Sequence, residues 1–311
     1  VLALSGGIGG AKLAFGLDRI LPAGALSVIC NTGDDFEHLG LCISPDIDTV
    51  LYTLAGIANP QTGWGRVNET WTFMNTLAEL GGETWFQLGD ADLALHIERT
   101  RRRTLGESLS DITDSIRQRL GIRSEIIPMS DQTVSTWVET SEGVLPFQQY
   151  FVQLLCRPTV SGFQFDGADS APASPRLAEL LSSDRLKAVI ICPSNPFISI
   201  DPILALPGLR QAIRSNGAPV IAVSPIINGK AVKGPTAKMM VELGLPVNSA
   251  SIAAHYGDLI DALVIDQSED TKFPENGPRC FRTATLMHSD TDKQALASQV
   301  LAYAETLGPS S

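Results

Sequence analysis

Five of the chain's 34 acidic residues fall in one short stretch, Asn31 to Val50, which reads NTGDDFEHLGLCISPDIDTV. Asp34, Asp35, Glu37, Asp46 and Asp48 stand there beside the hydroxyls of Thr32 and Ser44. Clustered carboxylate and hydroxyl oxygens suit a hard cation such as Mg2+, which keeps several waters and bridges one or two carboxylates to substrate phosphates. The alternative is local: Asp46 caps a helix and Asp48 sits in its first turn, where the dipole favours negative charge. Upstream, Ser5-Gly-Gly-Ile-Gly-Gly10 precedes an apolar helical pattern. Glycines let backbone amides approach an anion, and a helix N-terminus attracts one. The spacing is neither the usual dinucleotide fingerprint nor a Walker loop. The turn therefore reads either as a phosphate cradle or as a tight strand-to-helix connection. Two later loops add polar groups. Ser194 and Asn195 lie between Pro193 and Pro196, and Ser224, Asn228, Lys230, Lys233 and Lys238 follow another apolar run. There, the lysines could meet an anionic ligand or remain on the surface.

The elements that must position these residues are short apolar runs: Val1 to Leu4, Ser27 to Cys30, Val160 to Phe165, Ala188 to Cys192, Val220 to Val223 and Leu263 to Ile265. Helical patterns alternate with them at 12–21, 176–181, 209–214 and 237–243. Strands alternating with helices predict parallel strands covered on both faces, an α/β doubly wound, Rossmann-like sheet. Ligands of such sheets lie beyond the carboxyl ends of the strands, where the residues above fall. Residues 1–61 and 154–311 are expected to form this core, with 62–153 a mainly helical insertion that includes an antiparallel piece around STWVETSEGVLPF. The segment 166–176, DGADSAPASPR, reads as a linker. Trp64, Trp71, Trp85 and Phe86 in the insertion could pack as core or offer faces to a flat ring system.

Composition narrows the function classes. The chain has 311 residues, 44% hydrophobic and 18% charged, with a net charge of -11. Such a surface disfavours a sequence-independent grip on nucleic acid. The one basic run, Arg99 to Thr104, reads as a solvated helix end. Five scattered cysteines without a C-x-x-C pair argue against a disulfide framework or zinc knuckle and fit a reducing cytoplasm. No transmembrane or secretory segment is expected. His38, His96, His255 and His288 lack zinc-binding spacing. A dinucleotide-dependent dehydrogenase is disfavoured, because the second strand ends in Cys30-Asn31-Thr32 and not in a lone acid for the ribose.

Nine blocks occur in a fixed order: SGGIGGAKL, NTGDD, SPDIDTVLYTLAGI, TGWG, LGDADLALHI, PMSDQTV, PSNPFISIDPIL, SPIINGKAVKGPTAKMM and VID. Together they resemble the CofD family of 2-phospho-L-lactate transferases, called FbiA in mycobacteria, over nearly the whole chain. The resemblance implies a step in coenzyme F-420 biosynthesis. A guanosine diphosphate ester of phospholactate, phosphoenolpyruvate or 3-phosphoglycerate gives up its phosphoryl ester. The acceptor is the ribityl hydroxyl of the deazaflavin Fo, GMP leaves, and Mg2+ is required. It further implies that Asp46 and Asp48, with Asp34 or Asp35 as additional candidates, hold Mg2+ and supply the proton acceptor. Gly7, Gly9, Gly10 and Lys12 would face the diphosphate, with Asn31 and Thr32 beside them. Ser194, Asn195, Ser224 and the turn from Gly234 to Lys238 would bind guanosine. The region from Trp64 through Gln87 to Asp90 would bind the ring. Some relatives carry a basic residue where this chain has Gln87, so a charged contact to Fo is not carried over. Gly9-Gly10-Ala11 is closer to bacterial than to archaeal forms. A homodimer is expected. The alternative is a nucleotide-sugar-binding regulator resembling the YvcK family, with a related glycine loop and sheet.

Overall fold

The computed structural model describes residues 1–274 and 277–308. In chain order, β1 (Leu2–Ser5) leads through the glycine turn into α1 (Gly7–Ile20) and β2 (Ser27–Cys30). A hairpin of β3 (Phe36–His38) and β4 (Leu41–Ile43) precedes α2 (Pro45–Ala55). Helices α3 (Thr72–Glu79), α4 (Asp90–Thr104) and α5 (Leu109–Arg119) follow, then β5 (Glu125–Pro128). Strands β6 (Ser135–Thr140), β7 (Gly143–Pro146) and β8 (Val160–Asp166) come next, then α6 (Pro175–Leu181) and β9 (Val189–Ile191). The remainder runs α7 (Asp201–Leu204), α8 (Leu209–Ser215), β10 (Val220–Val223), β11 (Ile226–Ile227), β12 (Lys230–Ala231), α9 (Thr236–Glu242) and α10 (Ser249–Tyr256). Strands β13 (Ala262–Asp266) and β14 (Arg279–Thr283) lead to α11 (Asp290–Leu307).

The central sheet has seven strands in the order β14-β13-β10-β9-β1-β2-β5. Every pairing in it is parallel. The doubly wound α/β expectation therefore holds, and the strand order reverses direction at β1 and β9. Both faces of the sheet are covered, so its strands read as unbroken apolar runs. Alternate residues enter opposite cores. Leu2, Leu4, Ile29, Val189 and Ile191 pack on one side, and Ala3, Val28, Ile190, Ile221 and Val264 on the other. Each buried aliphatic side chain contributes about 1.5–3 kcal/mol relative to exposure.

Three expectations need correction. Val160 to Phe165 does not join the central sheet; as β8 it pairs antiparallel with β6 in a separate sheet ordered β7-β6-β8. Its polar residues alternate with apolar ones and it is only partly buried, as befits a sheet with one wet face. The segment 62–153 is not a single helical insertion, because β5 returns to the main sheet at the edge beside β2. That strand has only four residues, EIIP, too short a run to stand out by pattern. The antiparallel piece appears as the β6–β7 hairpin. The expected linker is packed, with Ala168, Ala171 and Ser174 buried and the Ser174 amide donating to the Met129 carbonyl at 2.9 Å. Among the described residues no helix is long and apolar enough to cross a membrane.

Candidate active site

A cavity of about 750 Å³ opens at the carboxyl edge of the sheet, beyond the adjacent strands β1 and β9. Its floor is the glycine turn. Gly7 has φ of +62°, a left-handed conformation that a side chain would strain. At Gly9 a Cβ would lie 2.3 Å from the Pro193 carbonyl oxygen, so only glycine lets the turn close against the end of β9. Gly10 packs beneath the cavity against the hydroxyls of Ser5 and Ser194. Helix α1 has no side-chain cap of its own and no acid in its first turn. Distant residues supply both: the Gly6 amide donates to Ser194 Oγ at 3.1 Å and the Gly7 amide to Asp46 Oδ1 at 2.6 Å. Ile8 and Gly9 follow in the same first turn and line the cavity, where amides at a helix start have no intrahelical partner.

Within the acidic stretch, Asp34, Asp46 and Asp48 line the cavity. Asn31, lying behind the wall, braces Asp46: its Nδ2 donates to Asp46 Oδ2 at 3.0 Å and to the Ile198 carbonyl at 3.2 Å, while its Oδ1 accepts from Gly33 N at 2.7 Å. Burial pushes the Asp46 carboxyl up to about 6, against the opposing hydrogen bonds from Asn31 and Gly7. Burial, then the neighbouring Asp46 charge, holds Asp34 well above the usual carboxylate range. Asp34 Oδ1 is buried with no hydrogen-bond partner. Two buried carboxylates with no cationic side chain on either, one oxygen unsatisfied, constitute a donor set that fits a divalent cation. No group of three potential metal-binding side chains occurs among the described residues, so the remaining ligands would be substrate oxygens and water.

Asp48 is built differently. It forms a two-pronged ion pair with the Arg99 guanidinium of α4, and Arg99 is only 1% exposed. The expected solvated basic run thus contributes a buried arginine. The neighbouring Arg101 does pair on the surface, with Glu98. His96 lies between two acids, its Nδ1 3.7 Å from Asp48 and its Nε2 3.2 Å from Asp92. Tyr52 donates its hydroxyl to Asp92. Burial would raise Asp92, but the His96 and Tyr52 contacts and the Arg99 charge hold it below its ordinary value. With its charge committed to Arg99, Asp48 does not fit the part of a free metal ligand. Asp35 lies outside the cavity wall and accepts from Ser44 Oγ at 2.7 Å; burial raises it. Thr32 is buried outside the wall as well.

The other candidate residues fall into two sets. Lys12 lines the cavity and donates to the Met287 carbonyl at 2.9 Å; burial and the nearby Lys293 and Lys233 lower its pKa. Lys233, also on the wall, ties the loop before α9 to the Thr62 carbonyl at 2.8 Å. Ser194, Asn195, Ser224 and Gly234 line the same space, as do Trp64 and Gln87. Asn195 Oδ1 accepts from Phe197 N at 3.0 Å and Gln87 Nε2 donates to the Thr84 carbonyl at 2.7 Å. Lys238 faces elsewhere, paired with Glu242 and donating to the Pro158 carbonyl at 3.0 Å. Asp90 accepts from Thr72 N and Phe73 N at 3.0 Å each, at the start of α3, and does not reach the cavity. Sequence reasoning missed the apolar wall of Phe147, Phe151, Val152 and Leu155, and the strip from Thr285 to His288. The run LPFQQYFVQLL was its available signal. Asp266, the acid of VID, holds that strip: it accepts from Thr285 N at 3.0 Å.

Amides at an open helix start, paired buried carboxylates and an apolar wall thus share one space. A family model described as 2-phospho-L-lactate transferase CofD matches residues 1–304. The chain belongs to the CofD family. It is 38% identical to the 2-phospho-L-lactate transferase of Methanosarcina mazei, covering 97% of this chain and 99% of that one. Identity to the enzyme of that name from Methanopyrus kandleri is 42%, covering 98% and 97%. A phosphoenolpyruvate transferase of Streptomyces griseus is 38% identical over 98% of both chains. Like these CofD relatives, the chain is a transferase. Among solved structures, a UPF0052 family protein from Bacillus halodurans superposes with a TM-score of 0.64 at 15% identity. It covers 96% of this chain and 98% of its own and shares the CofD fold.

Proposed function

We propose that this CofD family member moves the phosphoryl ester of a small acid from a guanosine diphosphate ester to the ribityl hydroxyl of Fo, releasing GMP, in coenzyme F-420 assembly. The observation that carries the reading is the pair Asp34 and Asp46, buried beside the open first turn of α1 in a cavity whose far wall is apolar. Whole-chain relatives named as 2-phospho-L-lactate and phosphoenolpyruvate transferases support it.

Phosphoryl transfer asks a protein mainly to align the reacting groups and to stabilise charge on oxygen. Asp34 and Asp46 would hold Mg2+, which when bound neutralises charge on the diphosphate. Ile8 and Gly9 amides, with Lys12 and Lys233, face the phosphate oxygens. Trp64, Phe147 and Phe151 offer apolar faces to the deazaflavin ring, which needs burial and not charge. The Fo hydroxyl oxygen forms a new bond to the phosphorus that carries the acid. The bond from that phosphorus to the bridging oxygen of GMP breaks, and GMP leaves with the bond's electron pair. One cavity carboxylate takes the hydroxyl proton.

The test is direct. The purified protein is incubated with Fo, Mg2+ and, in turn, the guanosine diphosphate esters of phospholactate, phosphoenolpyruvate and 3-phosphoglycerate, and the deazaflavin product is weighed by mass spectrometry. One donor should give a product heavier by its phospho-acid. No product from any donor overturns the reading.

A further inference from the structure

One hydroxyl on the cavity wall takes no part in the hydrogen bonding of the fold. It belongs to Ser199, in the π-helical turn Pro196–Ile200 that follows β9. The Asn195 carbonyl accepts there from Ser199 N at 3.0 Å and from Ile200 N at 3.2 Å, and widened turns of this kind recur at functional sites. Ser199 is 6% exposed and lines the cavity. A Cβ on Gly6 would lie 2.5 Å from Ser199 Cβ, 3.0 Å from Ser199 Oγ and 2.8 Å from Asp46 Oδ2. Hydroxyl and carboxylate thus border the same spot at the foot of the glycine turn. Asn31 fixes both: its Nδ2 donates to Asp46 Oδ2 at 3.0 Å and to the carbonyl of Ile198, the residue before Ser199, at 3.2 Å.

Packing accounts for the Cβ of Ser199 but not for its oxygen. Gly6 leaves room for that Cβ, and an alanine would fill the place as well. Among the described residues the Ser199 hydroxyl has no hydrogen-bond partner. The neighbouring donors are already taken, Gly6 N by Ser194 Oγ and Gly7 N and Asn31 Nδ2 by Asp46. A buried hydroxyl without a partner costs free energy, and its one proton is available to an incoming acceptor. The open first turn of α1 attracts an anion, so the acceptor that fits beside it is a phosphoryl oxygen.

We propose that Ser199 is a further substrate-binding residue, whose hydroxyl donates to a non-bridging oxygen of the phosphorus under attack, the one that carries the small acid. The proposal rests on the guanosine diphosphate ester reading above and deepens it. Whether Asp46 holds the cation or takes the proton of the attacking hydroxyl, that phosphorus has to come beside it, and Ser199 borders the same spot. Tied to Asp46 through Asn31, the donor is in place before charge shifts onto the phosphoryl oxygens and needs no rearrangement when it does.

Ser199→Ala is the test, because it keeps the Cβ that packs on Gly6 and removes only the oxygen. Dissociation constants for GDP and for GMP, each with Mg2+, are measured by calorimetry for the wild type, Ser199→Ala and Ser199→Cys. GDP carries a terminal phosphate in the place of the transferred group, and GMP lacks it. Ser199→Ala should bind GDP about 10- to 100-fold more weakly, the loss expected for a hydrogen bond to a charged group, and bind GMP as the wild type does. Ser199→Cys, close in volume but a weak donor, should show the same loss for GDP alone. A merely structural role would weaken both nucleotides together or neither. If Ser199→Ala melts early, Ser199→Cys decides. Wild-type GDP affinity in the deciding variant, or equal losses for GDP and GMP, overturns the proposal alone. A wild type that binds neither nucleotide overturns the guanosine reading and the proposal together.

Discussion

Asp46 and Asp48 stand two residues apart in the first turn of α2, yet the fold treats them as opposites. Residues at that spacing point to different sides of a helix. Asp46 turns toward the glycine turn and Asn31, lines the cavity with Asp34, and meets only amide donors. Asp48 turns toward α4 and is neutralised by Arg99. One carboxylate is held ready for a charge to arrive; the other received its charge on folding. Acids that line one cavity are thus not equivalent, and the deciding quantity is whether each carboxylate already has a cation.

The largest expected effect comes from breaking the neutralised side. Asp48→Asn leaves Arg99 buried without its counter-charge and should cost about 3–5 kcal/mol of stability. Denaturant unfolding measures the loss, and a second change, Arg99→Met, should restore most of it. Full stability in Asp48→Asn together with a raised Mg2+ requirement would erase the contrast. Asp46→Asn should do the reverse. Transfer falls at least about a hundredfold, the upper end for disturbed metal sites, while the unfolding midpoint stays near wild type because no buried cation is stranded.

A third experiment sharpens the contrast through pH. Asp46 is raised to about 6 when folded, above its unfolded value, and Asp34 shifts the same way. Between about pH 4 and pH 6 the folded protein therefore binds more protons than the unfolded chain, and stability from these groups falls as pH rises. On the proposed reading Mg2+ would bind the ionised form and should recover it. Its thermal stabilisation should be larger at about pH 7.5 than at about pH 5, growing about 1.4 kcal/mol per tenfold excess over Kd. An equal Mg2+ shift at both values would remove the cation from this pair. The smallest effect belongs to the apolar wall. Trp64→Ala, at a side chain 45% exposed, should weaken Fo binding by about 0.5–1.5 kcal/mol, followed by Fo fluorescence.

Much of this was legible before any coordinates. Uninterrupted apolar runs at Ser27–Cys30 and Val220–Val223 announced strands covered on both faces, and reading only the residues that follow each strand found Gly7, Gly9, Asp34, Asp46, Ser194 and Ser224, all on the cavity wall. The same reading placed Lys238 in the site and the family resemblance placed Asp90 there, whereas Lys238 pairs with Glu242 and Asp90 holds the start of α3. It set Arg99 in solvent, although no local pattern distinguishes that arginine from its neighbours Arg101 to Arg103.

The sequence by itself determined the alternation of strands and helices in the core and the loops expected at one rim, because backbone geometry and the periodicity of apolar residues act over a few positions. Only the tertiary structure decided which charged side chains meet. Asp48 reaches Arg99 across 51 positions, and Gly6 reaches Ser194 across 188. Such pairings cost little to write into a chain and depend on the angle at which whole helices and loops pack, which residue types and spacing do not encode locally.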